Sequence, residues 1–274
     1  MTQPAFKISL AQWSLHRAFK SGALDVLAFA GVANRLGFDA IEYVNQCFAD
    51  KAQDRAFLAE LKRRAVGEGV WSLLMMVDHE GRLGDPNAAA RALAVENHKK
   101  WVAAAAFLGC HAVRVNARSE GNFDEQLSYA ADGLVALCTF ADDFGINIVV
   151  ENHGGLSSNG AWLAQLMKHA DHPRLGTLPD FGNFAISDTE TYDRYQGVAD
   201  MAPFAKAVSA KSFAFDAEGN ETSIDFARMM NIVLGAGYRG YVGIEYEGQG
   251  LPEEEGILAT KRLLERVRTT LQAP

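Results

Sequence analysis

Apolar runs of four to seven residues alternate with longer helical patterns about eight times along this chain of 274 residues. This alternation is typical of repeated strand-helix units. The predicted strands read ISLAQWS, DAIEYVN, VWSLLMMVD, AVRVNA, INIVVEN, LGTLPD, AVSAKSF and YVGIEYE. Continuous apolar strands that are covered by helices indicate a parallel sheet buried on both faces. Eight such units fit an α/β protein with a closed (β/α)8 barrel, the TIM barrel.

The boundaries of the helical patterns carry capping signals. We predict helices over residues 24–36, 54–69, 86–108, 123–144, 161–170, 192–204, 225–236 and 253–271. Asp85 precedes Pro86 and is predicted to be the N-cap of the third helix. Glycines that follow helical patterns are predicted to be left-handed C-caps, at Gly37, Gly69, Gly109, Gly145 and Gly237.

A doubly wound open sheet is the alternative architecture. It would need a glycine-rich phosphate-binding turn after its first strand, and residues 10–21 contain no glycine. The chain also lacks a Pro/Ser-rich linker, a block of like charges and a low-complexity stretch. We therefore expect one barrel domain over residues 1–274.

Composition excludes several classes of function. The formal net charge of −8 disfavours binding to nucleic acid, which needs a field of Lys and Arg. No run approaches the roughly 18 apolar residues of a membrane span, and no secretory signal is present, so a cytoplasmic location without a membrane partner is expected. Cys47, Cys110 and Cys138 lack CxxC spacing, which predicts buried thiols rather than a disulfide framework or a zinc ribbon.

Three predicted strands end in a carboxylate. These are Glu151, Asp180 and Glu245 on strands five, six and eight, and the seventh strand ends in Lys211. In a barrel the carboxyl ends of the strands surround the mouth, so the three acids should converge. A buried carboxylate without a partner is costly, and a divalent cation would offset that cost. The pattern therefore predicts a metal site made by Glu151, Asp180 and Glu245.

The ligand type also predicts the ion. Carboxylates suit hard cations, so Mn²⁺ or Mg²⁺ is favoured and Co²⁺ or Zn²⁺ is a weaker alternative. A structural zinc site would be built from cysteine and histidine. The histidines expected at the mouth are His16, His79 and His153, and a trinuclear zinc site is difficult to assemble from them.

Other polar and aromatic residues fall at the predicted strand ends. Residues two apart share a face of a strand, which groups His153 with Glu151 and Glu247 with Glu245. Such groups suit a hydroxyl-rich ligand. The candidate substrate-binding residues are Trp13, His16, Glu42, His79, Arg114, Asn116, Asn183 and Glu247. Asn45, Asp78 and Glu80 occupy the same strand ends as weaker candidates.

The motifs ENHGG, LPDFGN, VSAKS and GIEYEG resemble the sugar phosphate isomerase/epimerase family of the xylose isomerase-like TIM barrels. Inosose dehydratase, ketose 3-epimerases and endonuclease IV are related to it. The resemblance implies one metal held by Glu, Asp, His and Glu from strands five to eight, with the two glutamates as acid and base. By motif, these ligands include Glu151, Asp180 and Glu245.

The seventh strand departs from the pattern of these relatives. They often read His-x-Lys-Asp where this chain has Ser209, Ala210, Lys211 and Ser212. Either three protein ligands and water or substrate complete the shell, or His153 supplies a nitrogen. Lys211 is expected to neutralise the charge of about −1 that three carboxylates and M²⁺ leave. Asn183 stands where endonuclease IV has a histidine ligand, which disfavours DNA cleavage.

The expected reaction is isomerisation or epimerisation of a ketose or keto-polyol through an enediolate. Glu151 or Glu245 removes a carbon-bound proton and the other returns it, while His153 or Glu247 is an alternative base. Elimination of a β-oxygen leaving group by a dehydratase or lyase is the second hypothesis, and a non-catalytic sugar-binding barrel is the third. A homodimer is compatible with the sequence.

Overall fold

The computed structural model describes residues 4–272 and contains all eight predicted strands. Neighbouring strands in the order β6-β5-β4-β3-β2-β1-β8-β7 pair in parallel. The strands are β1 (Lys7–Ala11), β2 (Ala40–Val44), β3 (Trp71–Met76), β4 (Ala112–Val115), β5 (Asn147–Glu151), β6 (Leu175–Leu178), β7 (Val208–Ser212) and β8 (Tyr241–Tyr246).

The two ends of this strand order meet between β6 and β7. Single parallel bridges join Thr177 to Ala205 and Asp180 to Ser209. The amide of Ser209 donates to the carbonyl oxygen of Pro179 at 3.0 Å, which extends the contact beyond β6. The sheet is thus a nearly closed barrel, as predicted, and the open-sheet alternative is wrong.

Helices follow the strands around the barrel. They are α1 (His16–Lys20), α2 (Phe29–Arg35), α3 (Arg55–Gly67), α4 (Ala88–Leu108), α5 (Phe123–Asp142), α6 (Gly160–Ala170), α7 (Arg194–Met201), α8 (Phe226–Gly235) and α9 (Glu253–Gln272). The predicted C-capping glycines all have positive φ, between 68° and 95°. None of the helices within residues 4–272 is long and apolar enough to cross a bilayer.

Two predicted helix starts are wrong. Helix α2 begins at Phe29, after a 3-10 turn over Val26–Ala28, and not at residue 24. Helix α4 begins at Ala88, and Asn87 is its N-cap because the Asn87 side-chain oxygen accepts from the amides of Ala89 and Ala90. The carboxylate of Asp85 instead accepts from the Asn87 amide and pairs with Arg82 at 2.9 Å. Asp and Asn are nearly equally favourable as N-caps, so residue type alone does not choose between Asp85 and Asn87. The prediction relied on Pro86 as a first-turn residue and therefore placed the helix start two residues too early.

The barrel interior is apolar at one end and polar at the other. A small cluster that includes Leu74, Met76, Ala112 and Val149 fills the strands' inner face. A much larger core lies between the strands and the helices. Because side chains alternate along a strand, the inner face continues from Ala112 to Arg114 and from Val149 to Glu151. The polar residues at the carboxyl ends of β4 and β5 therefore rest on packed apolar side chains.

The predicted thiols are largely buried. Cys110 and Cys138 are buried, Cys47 is half-buried, and all three are free.

Candidate metal centre

Glu151, Asp180 and Glu245 converge at the carboxyl ends of β5, β6 and β8. One carboxylate oxygen from each lies within 4.8 Å of the others. All three residues are buried, with exposed fractions of 2%, 0% and 4%. Parallel strands bring these residues together from positions far apart in the chain, as the sequence predicted.

Asp180 is held by a loop that returns to β5. Its Oδ1 accepts from the amides of Gly182 and Asn183 at 2.8 and 2.9 Å. The Asn152 side chain accepts from the Asp180 amide at 2.7 Å and donates to the carbonyl oxygens of Asp180 and Asn183. These contacts leave Oδ2 of Asp180 buried without a hydrogen-bond partner in the described chain.

Arg114 lies between two acids. Its Nε is 2.9 Å from Oε2 of Glu151, and its Nη1 is 2.8 Å from Oδ1 of Asp78. Burial lowers the pKa of Arg114, but the carboxylates of Glu151 and Asp78 outweigh this and the net pKa is raised. The predicted substrate-binding residue Arg114 is therefore already paired within the protein.

Lys211 is the second buried cation of the site. Its Nζ lies 3.2 Å from Oε1 of Glu245, 3.5 Å from Oε1 of Glu247 and 3.9 Å from Oδ2 of Asp180. The Asn183 side chain links the two halves of the network, since it accepts from Lys211 and donates to Oε1 of Glu151. Lys211 thus occupies the charge-neutralising position that the sequence predicted.

Burial raises the pKa of each of the three acids, but the net pKa shift differs among them. Burial raises the pKa of Glu151 to about 7 and that of Asp180 to about 7, despite the nearby cations Arg114 and Lys211. Burial also raises the pKa of Glu245, but Lys211 and then Arg114 outweigh it and the net pKa is lowered. Without a further cation, the protein resists full ionisation of this cluster near neutral pH.

The charges of the network favour a divalent cation. Its carboxylates are Glu151, Asp180, Glu245, Glu247 and Asp78, and its cations are Arg114 and Lys211. Five negative and two positive charges leave −3, which M²⁺ would reduce to −1. The unpartnered Oδ2 of Asp180 supplies a free ligand atom, and an all-oxygen donor set suits Mg²⁺ or Mn²⁺. The residues present therefore fit such an ion.

The seventh strand contributes a hydroxyl. Ser209 donates from Oγ to Oε2 of Glu245 at 3.0 Å. His153 is half-buried, and its Nδ1 has no partner in the described chain. Among residues 4–272, the group of converging ligand atoms does not include a His153 nitrogen. The geometry favours three carboxylates as the protein ligands over a set completed by His153.

Glu42 was expected at the end of its strand. It is instead the third residue of β2 and faces the barrel interior. Ser9 donates to its Oε1 at 2.6 Å, and a Cβ on Gly243 would lie 2.5 Å from that oxygen. Gly243 precedes Glu245 by two residues, so Glu42 lies one layer below the acids. Strand β2 continues two residues beyond Glu42 to Val44, so Glu42 is buried away from the mouth.

Three of the remaining candidates form one wall of the mouth. Trp13 donates from Nε1 to Oε1 of Glu247, and its ring stacks on His16 with centroids 5.0 Å apart. Glu247 also contacts Lys211, so this wall is continuous with the acid cluster.

The opposite wall follows β3 and β4. Asn116 donates from Nδ2 to Oδ1 of Asp78 at 2.7 Å, and His79 is exposed with a left-handed φ of 63°. These residues and the buried His98 of α4 line a cavity of about 220 Å³. A larger cavity of about 660 Å³ lies between α8 and α9, and no predicted site residue lines it.

Two residues at the site were missed or undervalued by the sequence analysis. Asn152 directly follows Glu151 in sequence. Its role in holding Asp180 depends on the loop after β6 folding back against β5, which the sequence does not show. Asp78 was a weak candidate, although it anchors both Arg114 and Asn116.

An eight-stranded parallel barrel with buried acids from β5, β6 and β8 at its mouth defines a class of α/β barrel suited to divalent cations. The profile of the xylose isomerase-like TIM barrel family matches residues 30–267, well over half of the chain. The chain belongs to this family, which confirms the resemblance that its motifs indicated. A search of curated proteins finds no significant sequence match.

Solved structures share this fold at low sequence identity. The 3-keto-D-glucoside 4-epimerase YcjR from E. coli, in its apo form, is 16% identical, with 96% of this chain and 99% of that chain covered and a TM-score of 0.73. D-psicose 3-epimerase, in the presence of D-fructose, is 14% identical, with 96% and 99% covered and a TM-score of 0.74. A xylose isomerase-like TIM barrel protein from Mycobacterium smegmatis, in complex with magnesium, is 14% identical, with 99% and 100% covered and a TM-score of 0.74.

Proposed function

We propose that this protein is a divalent-metal-dependent enzyme that isomerises or epimerises a ketose or keto-polyol. The observation that carries the proposal is the convergence of carboxylate oxygens from Glu151, Asp180 and Glu245 within 4.8 Å of one another at the barrel mouth. Mn²⁺ or Mg²⁺ is the favoured ion because all three ligands are oxygens.

The fold's relatives support the reaction type. Two solved structures of the same fold are named as epimerases, one acting at carbon 4 of a 3-keto-glucoside and one at carbon 3 of D-psicose. In both names the inverted carbon is next to a ketone. Proton transfer at such a carbon, through an enediolate, is the chemistry that we assign to this chain.

The chain's own residues would bind the substrate's oxygens and move the proton. When bound, a divalent ion supplies a Lewis acid that stabilises negative charge developing on the substrate's carbonyl oxygen. Arg114 orients Glu151 from β4, and Lys211 orients Glu245 from β7. One glutamate takes the carbon-bound proton onto a carboxylate oxygen, and the other returns a proton to the same or the opposite face.

His153 and Glu247 are the alternative bases. The unpartnered Nδ1 of His153 is free to accept a proton, and burial lowers the pKa of His153, so its ring is neutral at neutral pH. Trp13 and Glu247 would contact the substrate from one wall, and His79 and Asn116 from the other. The single domain, the homodimer and the cytoplasmic location stay predictions from sequence.

The test is deuterium incorporation. Protein purified without chelator is analysed for bound metal and then incubated with a panel of ketoses in D₂O and Mn²⁺. We expect deuterium to be incorporated at a carbon next to the carbonyl. EDTA should abolish this incorporation, and added Mn²⁺ should restore it. Glu151→Gln and Glu245→Gln should each abolish exchange, whereas Glu255→Gln, at an exposed position of α9, should retain it.

The same experiment separates the competing hypotheses. Loss of water or of an aglycone from the labelled sugar would identify elimination instead of epimerisation. Sugar binding without exchange on any ketose, with Mn²⁺ saturating, would identify a non-catalytic barrel and contradict the proposal.

A further inference from the structure

The cavity of about 220 Å³ between the loops after β3 and β4 adjoins the acid cluster. Asp78 lines this cavity and pairs with Arg114, which in turn pairs with Glu151. Two ion pairs therefore connect the cavity to the candidate metal site. Its volume is several times the roughly 30 Å³ that one water occupies in the liquid, so it has room for a short hydroxylated fragment.

His98 reaches the cavity from helix α4. The residue is 3% exposed, and its Nδ1 lies 2.7 Å from the carbonyl oxygen of Ala94. A carbonyl only accepts, so Nδ1 carries the hydrogen and Nε2 is an acceptor. The hydrogen bond that His98 makes in the described chain therefore uses Nδ1 and leaves Nε2 as the acceptor of the ring. Burial lowers the pKa of His98, which keeps the ring neutral.

Asn116 presents a second acceptor. Its Nδ2 donates to the carboxylate of Asp78, which fixes the orientation of the amide. The Asn116 Oδ1 is buried and has no donor in the described chain. A buried acceptor is normally satisfied, so Asn116 Oδ1 calls for a hydrogen-bond donor from a ligand or water, and Nε2 of His98 offers another acceptor in the lining of the same cavity.

Two arginines lie on the rim of the cavity, and Arg118 has no ion pair in the described chain. Arg82 is paired with both Asp85 and Glu120. Arg118 is exposed at the edge. The left-handed backbone of His79, also on the rim, is a conformation that clusters at ligand-binding segments. The Asp78 carboxylate and the acceptor Asn116 Oδ1 of the lining favour neutral donors over an anion, whereas Arg118 lies at the exposed edge.

We propose that this cavity is a hydroxyl-binding subsite in which His98 Nε2 and Asn116 Oδ1 accept hydrogen bonds from hydroxyl groups of the substrate. The substrate is then a keto-sugar whose end remote from the reacting carbon carries free hydroxyls rather than a phosphate. The identity of the reacting end rests on the proposed function, but the hydroxyl subsite is tested without turnover.

The experiment is nitrogen NMR of protein labelled with ¹⁵N-histidine, without added metal. His98 is assigned by its absence in His98→Phe, with exposed His169→Phe as the control. If His98→Phe does not fold, His98→Gln gives the assignment. D-fructose, D-sorbitol and myo-inositol are the probes. We expect at least one to move the Nε2 resonance of His98, and Asn116→Ala to weaken that probe's binding by about tenfold.

Two results would overturn the subsite. One is an unchanged His98 resonance with all three probes at about 100 mM, far above the Kd of a useful subsite. The other is D-fructose 6-phosphate binding at least about tenfold tighter than D-fructose, with Arg118→Gln removing the difference, which would identify an anion site. Failure of the proposed function alone would abolish deuterium exchange while the probe still moved the His98 resonance.

Discussion

Ser209 on β7 donates its hydroxyl to Oε2 of Glu245 on β8 at 3.0 Å. Lys211, two residues later on the same face, lies 3.2 Å from Oε1 of the same carboxylate. Strand β7 therefore contacts both oxygens of Glu245 without offering a nitrogen ligand. An ion in this site competes with a hydroxyl and an ammonium for Glu245.

Replacing Ser209 by histidine should supply that nitrogen. Imidazole favours Zn²⁺ over Mn²⁺, so we expect Ser209→His to bind Zn²⁺ at least about tenfold more tightly than the natural chain. Isothermal titration of apo protein measures this, with Ser209→Ala as the control that removes the hydroxyl alone. A folded Ser209→His variant with natural Zn²⁺ affinity would contradict the placement of Ser209 beside the ion.

Replacing Lys211 by methionine should leave the acid cluster without its ammonium. At pH 8 in EDTA we expect a loss of about 3–5 kcal/mol in the free energy of unfolding, because breaking a buried ion pair strands its partner. Saturating Mn²⁺ should stabilise this variant more than the natural chain. Urea unfolding checks both, and Lys99→Met, which breaks a solvent-facing pair with Glu96, should cost less than about 1 kcal/mol.

Asn152 should act on metal affinity through Asp180. Asn152→Ala removes the side chain that fixes the loop carrying Asp180, so we expect metal affinity to fall by about 10–100-fold. Asn147→Ala, at the start of the same strand, is the matched control and should bind metal normally. Equal affinities of the two variants in calorimetry would exclude a role for Asn152 in orienting Asp180.

Glu42 should give the protein an unusual pH dependence. Burial raises its pKa from 4.5 to about 7. The unfolded chain therefore loses this proton first, and stability falls as pH rises from 4.5 to about 7. The shift of about 2.5 pH units corresponds to about 3 kcal/mol. Glu42→Gln should gain that amount relative to the natural chain between pH 4.5 and 8.

Urea unfolding in EDTA across this pH range measures the gain. Glu190→Gln, at an exposed loop position, is the control and should run parallel to the natural chain. Parallel curves for Glu42→Gln as well would mean that Glu42 has the same pKa in the folded and the unfolded protein, which would contradict the raised pKa.

The acid cluster could be predicted because it depends on strand ends alone. In a parallel barrel the carboxyl ends of all strands lie at the same rim. The convergence of Glu151, Asp180 and Glu245 could therefore be predicted without knowing the conformations of the loops. Glu42 was misplaced for the opposite reason. Glu42 lies two residues before the end of β2, and an inward side chain at that position belongs to the interior and not to the mouth, a depth that the apolar pattern alone does not reveal.

The pairings around the acids could not be read from sequence. Arg114 lies on β4 and Asp78 follows β3, and their ion pair depends on the direction of each side chain. Without this ion pair in view, Arg114 was predicted from the sequence to bind substrate. His98 is not among the three histidines predicted at the mouth, because it falls in a helical pattern. Only the packing of α4 against the barrel brings it to the cavity beside Asn116.

The seam between β6 and β7 runs through the candidate metal site, since Asp180 and Ser209 form one of its two bridges. An ion bound by Glu151, Asp180 and Glu245 would fasten strands on both sides of this seam. Local opening there would then require release of the ion. The amides of Phe181 and Ser209 both donate hydrogen bonds across the seam. Their hydrogen exchange should therefore be slower in metal-bound than in metal-free protein and would report whether the metal site is filled.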